Sequence, residues 1–261
     1  MTMAGTSALS TDALTAPTGP VIAIRELAFR WRADRPPVLT LDRLEIRPGE
    51  RVFIEGPSGS GKTTLLGLLA GVLQVSGGTL DVLGQPLHRL GAVARDRFRA
   101  DHVGYVFQLF NLIPYLSMVE NVALPCRFSR RRRTRALARG NDLAAEAGRL
   151  LDHLGLSDPA LRTRPVTELS VGQQQRVAAA RALMGAPEIL IADEPTSALD
   201  ADRREAFIQL LFRECQAAGL TLIFVSHDAS LEGLFDRTLR LAEINGALPP
   251  ATLAWAPKPR G

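Results

Sequence analysis

Apolar and polar residues alternate in two segments near the N-terminus, VIAIRELAFRW (residues 21–31) and LTLDRLEI (residues 39–46). A period of two places every second side chain on a buried face and the others in solvent, which is typical of antiparallel strands. The two segments therefore predict an N-terminal antiparallel β part.

Three later segments are apolar almost throughout and end in polar residues: GYVFQ (104–108), EILIAD (188–193) and TLIFVSH (221–227). Short continuous apolar runs suit strands that are buried on both faces of a parallel sheet. Helical patterns separate them, at VGQQQRVAAARALMG (171–185) and ADRREAFIQLLFRECQAAG (201–219), and the second ends in a glycine suited to a helix C-cap. The alternation predicts an α/β fold whose core is a mostly parallel sheet flanked by helices.

The pattern changes from about residue 110 to residue 169, where it is helical and rich in Arg, Ala and Leu. We expect an α-helical subdomain inserted into the α/β core, within one domain over residues 21–245. Residues 1–20 lack the basic start and long apolar core of a signal peptide and are predicted to be a disordered leader. The proline-containing residues 246–261 are predicted to be a poorly ordered tail.

The composition is that of an ordinary soluble globular protein, with 46% apolar and 22% charged residues and a net charge of +4. The longest apolar stretch, residues 65–73, is far shorter than a membrane-spanning helix needs. The two cysteines, Cys126 and Cys215, form no CxxC pair, which argues against a metal or disulfide framework and for reduced thiols.

Much of the positive charge lies in one run, residues 130–133 followed by Arg135 and Arg139. Such a run is either a contact for nucleic acid or anionic lipid, or a solvated helix face or loop.

A glycine-rich loop follows the predicted strand RVFIEG and precedes a predicted helix from about Lys62 to Val72. The loop satisfies G-x-x-x-x-G-K-[ST], a pattern whose backbone N–H groups curl round phosphates. Lys62 supplies a charge to the β- and γ-oxygens, and Thr63 a hydroxyl to Mg²⁺. The predicted ATP-binding residues of the loop are Gly56, Pro57, Ser58, Gly59, Ser60, Gly61, Lys62, Thr63 and Thr64.

Four polar residues follow the predicted core strands, where ligands gather in open parallel sheets. Asp193 is placed to hold Mg²⁺, and Glu194 to polarise an attacking water as a general base. His227 is expected beside the γ-phosphate as a sensor. Gln108 is expected to reach Mg²⁺ or the attacking water.

A second anion site is indicated by LSVGQQQR at residues 169–176. Ser170 is predicted to N-cap a helix and Gln173 to close a capping box. The free N–H groups of a helix start attract anions. Two phosphate-seeking helix starts in one chain raise the question of which nucleotide the second one serves.

The motifs together resemble the ATP-binding subunit of ABC transporters, over residues 21 to 244. The matching motifs, in chain order, are the Walker A loop GPSGSGKTT, the Q-loop Gln108, the signature LSVGQ, the Walker B strand ILIADEP, the D-loop SALD and the H-loop His227. The resemblance implies an ATPase that binds ATP and Mg²⁺. Trp31 falls where the family keeps an aromatic that stacks on adenine, although it also suits an edge strand.

The resemblance also implies a head-to-tail dimer with a second copy of the chain, in which each ATP lies between one Walker A loop and the partner's signature helix. Ser170, Gly172, Gln173 and Asp200 would then serve the partner's nucleotide. The family usually has two glycines after the signature serine, and this chain has Val171 and Gly172. We expect Val171 to face away from the phosphate and to pack.

Within the family, the segments around Gln108 and the signature look most like the branch of lipoprotein-releasing and macrolide-efflux ATPases. That likeness implies membrane-spanning permease partners, a location on the cytoplasmic face of the inner membrane, and export or extraction of lipid, lipoprotein or drug. Residues 110–122, including Tyr115 and Met118, would line the groove for the permease, or pack in the core. A signalling ATPase that activates cell-wall hydrolases is the alternative; a nucleic-acid partner is not expected.

Overall fold

The computed structural model describes residues 19–197 and 199–248, and only the backbone of Ala201 and Asp202. Most of the predicted leader and tail lie outside these ranges. The strands of the described part are β1 Ile22–Phe29, β2 Leu39–Ile46, β3 Arg51–Glu55, β4 Gly77–Val82, β5 Gln85–Pro86, β6 Val103–Val106, β7 Ile189–Asp193, β8 Thr221–Val225 and β9 Arg237–Arg240. The helices of the described part are α1 Lys62–Leu69, α2 Ala92–His102, α3 Met118–Ala123, α4 Pro125–Phe128, α5 Arg130–Arg139, α6 Leu143–His153, α7 Val171–Leu183, α8 Ala201–Ala218 and α9 Leu241–Ile244.

The alternating N-terminal segments form an antiparallel sheet, as their pattern predicts. Its strand order is β2-β1-β4-β5, with Ile22 opposite Ile46 and Phe29 opposite Leu39. The apolar residues of β1 and β2 face inward and their charged neighbours face solvent.

The continuous apolar runs form a second, parallel sheet in the order β6-β7-β8-β3-β9. Adjacent residues of its strands face different cores: Phe53 packs with the helical insert and α8, whereas Val52 and Ile54 pack with α1 and the antiparallel sheet. Burial on both faces explains why these strands read as uninterrupted apolar runs. Because the strands are parallel, Glu55, Val106, Asp193 and Val225 end at one edge of the sheet.

Helices α3 to α6 form the insert predicted between the Q-loop and the signature, and they pack on α7. Helix α1 ends at Leu69 rather than at Val72, because Gly71 takes a left-handed φ of 70° and turns the chain. The C-cap of α8 is Gly219, with φ of 65°, as predicted.

The arginine run forms α5, and only part of it is a solvated face. Arg132 is 3% exposed, and its guanidinium donates to the carbonyls of Met184 at 2.7 Å and Ala182 at 2.6 Å. The expectation of a wholly solvated helix or loop is therefore wrong at this residue, since its charge satisfies backbone carbonyls where α7 ends. Burial lowers the pKa of Arg132 to about 10.

Two further arginines of α5 pair with Glu188, just before β7. Arg131 Nη2 donates to Glu188 Oε1 at 2.5 Å and Arg135 Nη2 to the same oxygen at 2.7 Å, while His102 Nδ1 lies 2.9 Å from Oε2. Burial alone would raise the pKa of Glu188, but these partners outweigh it and lower the pKa to about 2. The insert is thus tied to the core by α5.

Cys126 and Cys215 are buried free thiols. None of the helices in the described part is long and apolar enough to cross a membrane.

Candidate functional site

The Walker A loop joins β3 to α1 and wraps around the side chain of Lys62. Gly59 and Gly61 take left-handed φ values of 81° and 100°, which only glycine adopts without strain. Lys62 Nζ donates to the carbonyls of Gly56 at 2.6 Å and Pro57 at 3.1 Å. The ammonium therefore lies inside the loop, where a phosphate would meet it.

Two further details of this loop favour an anionic ligand. A Cβ on Gly56 would lie 2.5 Å from Ser60 Oγ, so the loop has no room for a side chain there. Ser60 Oγ is itself buried and has no hydrogen-bond partner within the described residues. Buried hydroxyls normally have a partner, and a phosphate oxygen is one that this loop can accommodate.

Asp193 and Glu194 lie at the end of β7, beside Lys62. Burial raises the pKa of Asp193, and the neighbouring Glu194 charge adds to it, while Tyr105 and Lys62 oppose the rise. Tyr105 donates from its hydroxyl to Asp193 Oδ2 at 3.4 Å. Sequence reasoning missed Tyr105. Its position was a usable signal, because it is the residue before the last one of β6, the strand next to β7.

Glu194 takes a left-handed φ of 48°, so the chain turns sharply after Asp193. Its Oε2 lies 2.7 Å from Nδ1 of His227, which follows β8. Glu194 is largely buried and His227 is 70% exposed at the side chain, so the histidine covers the carboxylate from the solvent side. The structure thus brings together Lys62, Asp193, Glu194 and His227.

Gln108 and Trp31 are both exposed at the surface. Gln108 is exposed, just beyond β6, and its side chain makes no hydrogen bond within the described ranges. Trp31 is 62% exposed and meets Phe29 edge-on at 5.0 Å between ring centroids. Trp31 and Thr63 both line a groove of about 1590 Å³.

The donor set fits Mg²⁺ better than other metals. No cluster of three or more His, Cys, Asp or Glu side chains that could hold a metal occurs in the described part of the chain. Mg²⁺ characteristically uses one or two carboxylates together with substrate phosphates and water. The Thr63 hydroxyl, the Asp193 carboxylate and the Gln108 amide are oxygen ligands of that kind.

The signature residues begin α7. Ser170 Oγ accepts from the Gln173 N–H at 3.4 Å and the Ser170 N–H donates to Gln173 Oε1 at 2.9 Å, which confirms the predicted capping box. A Cβ on Gly172 would meet nothing closer than Leu199, at 3.8 Å. Within the described ranges, no hydrogen bond joins Ser170 or Gly172 to the Walker A loop.

The structure shows the surroundings of three further residues near the signature. Val171 is 50% exposed, so the expectation that it packs is wrong for the single chain; as the first residue of α7 it projects from the surface. Asp200 N-caps α8 by accepting from Arg203. Sequence reasoning also missed Gln175, whose Nε2 donates to Pro195 O at 2.7 Å and ties α7 to the segment after Glu194.

The segment predicted to receive a partner is divided between core and surface. Met118 is fully buried, so of the two alternatives the structure supports core packing for it and not the groove, whereas Tyr115 is 80% exposed. Met118 begins α3, whose apolar face packs on α7.

A sequence profile of the family described as ABC transporter matches residues 39–197. The chain is 45% identical to YbbA, described as an uncharacterized ABC transporter ATP-binding protein of Escherichia coli (strain K12), over 81% of this chain and 88% of that one. It is 40% identical to the lipoprotein-releasing system ATP-binding protein LolD of Hydrogenovibrio crunogenus, over 87% and 95% of the two chains.

A third relative is the macrolide export ATP-binding/permease protein MacB of Burkholderia pseudomallei. The identity is 39% over 87% of this chain but 33% of the longer MacB chain. Among solved structures, the fold resembles the ATP-binding cassette MJ0796 in a dimeric post-hydrolysis state bound to ADP and Pi. That likeness has a TM-score of 0.70 at 33% identity and covers 84% of this chain and 93% of that one.

Proposed function

Since the chain belongs to the ABC transporter family, whose cassettes bind and hydrolyse ATP, we propose that its ATPase cycle drives a membrane-spanning permease. One observation carries this proposal: the protomer assembles Lys62, Asp193, Glu194 and His227 in one cluster but leaves Ser170 and Gly172 outside it. A second copy of the chain then supplies the remaining contacts to the triphosphate, through its Ser170 and Gly172.

Within one protomer, the loop from Gly56 to Thr64 binds the phosphates through its N–H groups, and Lys62 moves its ammonium from the loop carbonyls to the β- and γ-oxygens. Thr63, Asp193 and Gln108 would hold Mg²⁺, which neutralises charge on the phosphates when it is bound. Trp31, which is exposed and lines the same groove as Thr63, stacks on the adenine.

Glu194 acts as the general base for the attacking water. It needs its carboxylate near the γ-phosphate, and its contact with His227 holds the carboxylate at the end of β7, beside Asp193. His227 is then the group that senses the γ-phosphate, because its exposed imidazole can leave Glu194 for a phosphate oxygen.

Across the dimer, Ser170, Gly172 and Gln173 present the free start of α7 to the partner's γ-phosphate, and Asp200 lies at the same contact. The dimeric state of MJ0796 supports this arrangement. Two bound ATP molecules close the dimer, and loss of the γ-phosphate removes the contacts that held it closed. This answers the question raised by the second anion site.

The names of the relatives favour export or extraction of lipid, lipoprotein or drug as the work performed, on the cytoplasmic face of the inner membrane. The permease docks on the exposed part of residues 110–122, where Tyr115 is 80% exposed. A signalling ATPase that acts on cell-wall hydrolases through its membrane partner shares the same site. We further propose residues 21–245 as one domain; the flanking segments of the proposal, 1–20 and 246–261, lie mostly outside the described residues.

The Glu194→Gln variant tests the ATPase mechanism. We expect it to lose hydrolysis by about a hundredfold or more, as removal of a general base does, and to form a stable dimer on addition of ATP. Phosphate release and analytical ultracentrifugation measure the two effects. Glu205→Gln, the same change at an exposed position of α8, is the matched control and keeps wild-type turnover. Normal turnover by Glu194→Gln would show that another group is the base.

Purification from membranes tests the partner. A membrane permease that co-purifies with the chain supports the proposal, and co-purification with nucleic acid instead would contradict it. The chemistry of the substrate bound to that permease then separates transport of lipid, lipoprotein or drug from signalling.

A further inference from the structure

Two buried side chains hold the backbone that follows Gln108. Arg181 of α7 is 9% exposed and donates from Nη1 to the Asn111 carbonyl at 2.7 Å and from Nη2 to the Phe110 carbonyl at 2.5 Å. Asn121 of α3 is fully buried; its Oδ1 accepts from the N–H of residue 113, and its Nδ2 donates to the carbonyls of residues 113, 116 and 117. The segment 110–117 is therefore fixed by side chains of two helices.

The two residues that Arg181 binds have an unfavourable backbone conformation. Phe110 has a φ of 61° and Asn111 a φ of 48°, both in the left-handed region. This conformation is sterically unfavourable for residues other than glycine, and more so for Phe than for Asn. It persists only where the surroundings hold it, and the Arg181 guanidinium is the side-chain group that binds both carbonyls of this turn.

The environment of Arg181 indicates a positional role. No carboxylate pairs with it in the ranges that the structure describes, and burial lowers the pKa of its guanidinium. Burying a cation without a counter-charge carries a desolvation cost, which offsets part of the stability that its hydrogen bonds provide. What the guanidinium adds is the geometry of two parallel, charge-assisted hydrogen bonds.

Helix α7 connects the signature to the segment that follows Gln108, because Ser170 lies at its start and Arg181 near its end. Ser170 caps the start of α7, and Arg181 lies about 16 Å further along the helix at the usual rise per residue. The turn that Arg181 holds begins two residues after Gln108. A rigid path therefore runs from the signature serine, along α7, to Gln108.

We propose that Arg181 is a positioning residue that makes the signature helix and the Gln108 loop move as one body. The proposal rests on the proposed function, in which Ser170 faces the partner's nucleotide and Gln108 the protomer's own. Closure around one nucleotide then sets the position of Gln108 at the other. Loss of Arg181 leaves both half-sites intact but removes the link between them.

The experiment compares Arg181→Met with Arg176→Met in the full chain. Arg176 is the matched control, because it lies on the same helix and also donates to two carbonyls, those of Leu154 and Gly155, but in the insert rather than near Gln108. For each variant, ATPase rate is measured against Mg²⁺ concentration, nucleotide affinity with a fluorescent ATP analogue, and folding by thermal unfolding.

For Arg181→Met we expect kcat to fall about tenfold or more and the half-saturating Mg²⁺ concentration to rise about fivefold, as small displacements of positioning groups do. The affinity for the ATP analogue should stay within about twofold of wild type, and Arg176→Met should keep the wild-type Mg²⁺ dependence. Arg181→Lys, which retains the charge but lacks the planar fork, should give an intermediate Mg²⁺ requirement.

Wild-type kcat and Mg²⁺ dependence in folded Arg181→Met would overturn the proposal, as would equal effects of Arg176→Met. If Arg181→Met does not fold, Arg181→Lys decides, and an unchanged Mg²⁺ requirement in that variant overturns the proposal. A wild-type chain without ATPase activity would instead contradict the proposed function itself.

Discussion

At the scale of single residues, the site depends on conformations that only particular residues tolerate. Gly59 and Gly61 give the phosphate loop its left-handed turns, while Glu194 takes such a turn without being glycine. The strain at Glu194 directs its carboxylate to His227 rather than along the strand with Asp193. Strained non-glycine residues of this kind often mark functional positions.

Val171 is the residue at which this chain departs from the family pattern, and its exposure makes a specific prediction. It is 50% exposed at the first position of α7, away from any packing that glycine would destroy. We therefore expect Val171→Gly to change the ATPase rate by less than about tenfold, which corresponds to about 1.4 kcal/mol of barrier. Steady-state phosphate release at saturating ATP measures it, and a gain beyond that limit would show that Val171 hinders closure.

The proximity of Lys62, Asp193, Glu194 and His227 could be predicted from sequence, because each belongs to a motif at the end of a predicted core strand. The capping box at Ser170 could be predicted too, because it depends on residues three apart. The position of Tyr105 near the end of β6 was a usable signal, but its contact with Asp193 could not be predicted, and neither could that of Gln175 with Pro195. Each contact depends on how two elements pack, which the sequence does not specify. Met118 shows the same limit: its burial depends on where α7 lies.

At the scale of elements, α5 illustrates how one helix can be read wrongly from composition. A run of arginines suggests solvent exposure, but a helix presents its residues in different directions, so Arg132 points into the protein while Arg133 does not. The periodicity of α5 was available in the sequence. The sequence does not show, however, that the carbonyls at the end of α7 are the hydrogen-bond partners of Arg132.

This asymmetry allows a matched test of the link between α5 and α7. Arg132→Met should lower the free energy of unfolding by about 2–4 kcal/mol, because buried carbonyls lose their donors. Arg133→Met, on the exposed side of the same helix, should change it by less than about 0.5 kcal/mol. Urea denaturation followed by circular dichroism measures both. If Arg132→Met lowered the free energy of unfolding as little as Arg133→Met, the Arg132 guanidinium would contribute no net stability and only the apolar stem of Arg132 would matter.

At the scale of the whole molecule, the fold separates the two halves of the site. The parallel sheet gathers the ends of β3, β7 and β8 at one edge, whereas the signature begins a helix associated with the insert. The α/β class and the inserted helical part could be predicted from the periodicity alone. The strand order β6-β7-β8-β3-β9 could not, because apolar runs do not specify their neighbours.

Gly172 provides a test of the shared site that leaves the protomer intact. The space around Gly172 is open, so Gly172→Glu should fold with an unfolding temperature close to that of wild type. A carboxylate at the helix start should repel the partner's γ-phosphate, and we expect hydrolysis to fall about a hundredfold or more, as loss of a group that stabilises developing charge does. Nucleotide binding to the protomer should be unchanged.

Thermal unfolding, phosphate release and fluorescent-nucleotide titration measure these three properties in that order. Full activity in Gly172→Glu, or full activity of a strictly monomeric wild-type chain, would contradict a site completed by the partner.

The position of Lys62 has a consequence for ligand discrimination. Its ammonium already satisfies two carbonyls of its own loop, and hydrogen bonds to a charged group contribute roughly 1.5–3 kcal/mol each. An incoming anion must outcompete them both. A nucleoside triphosphate offers several oxygens at once, whereas chloride or a single phosphate offers fewer, so the loop should favour a triphosphate over the small anions of the cell.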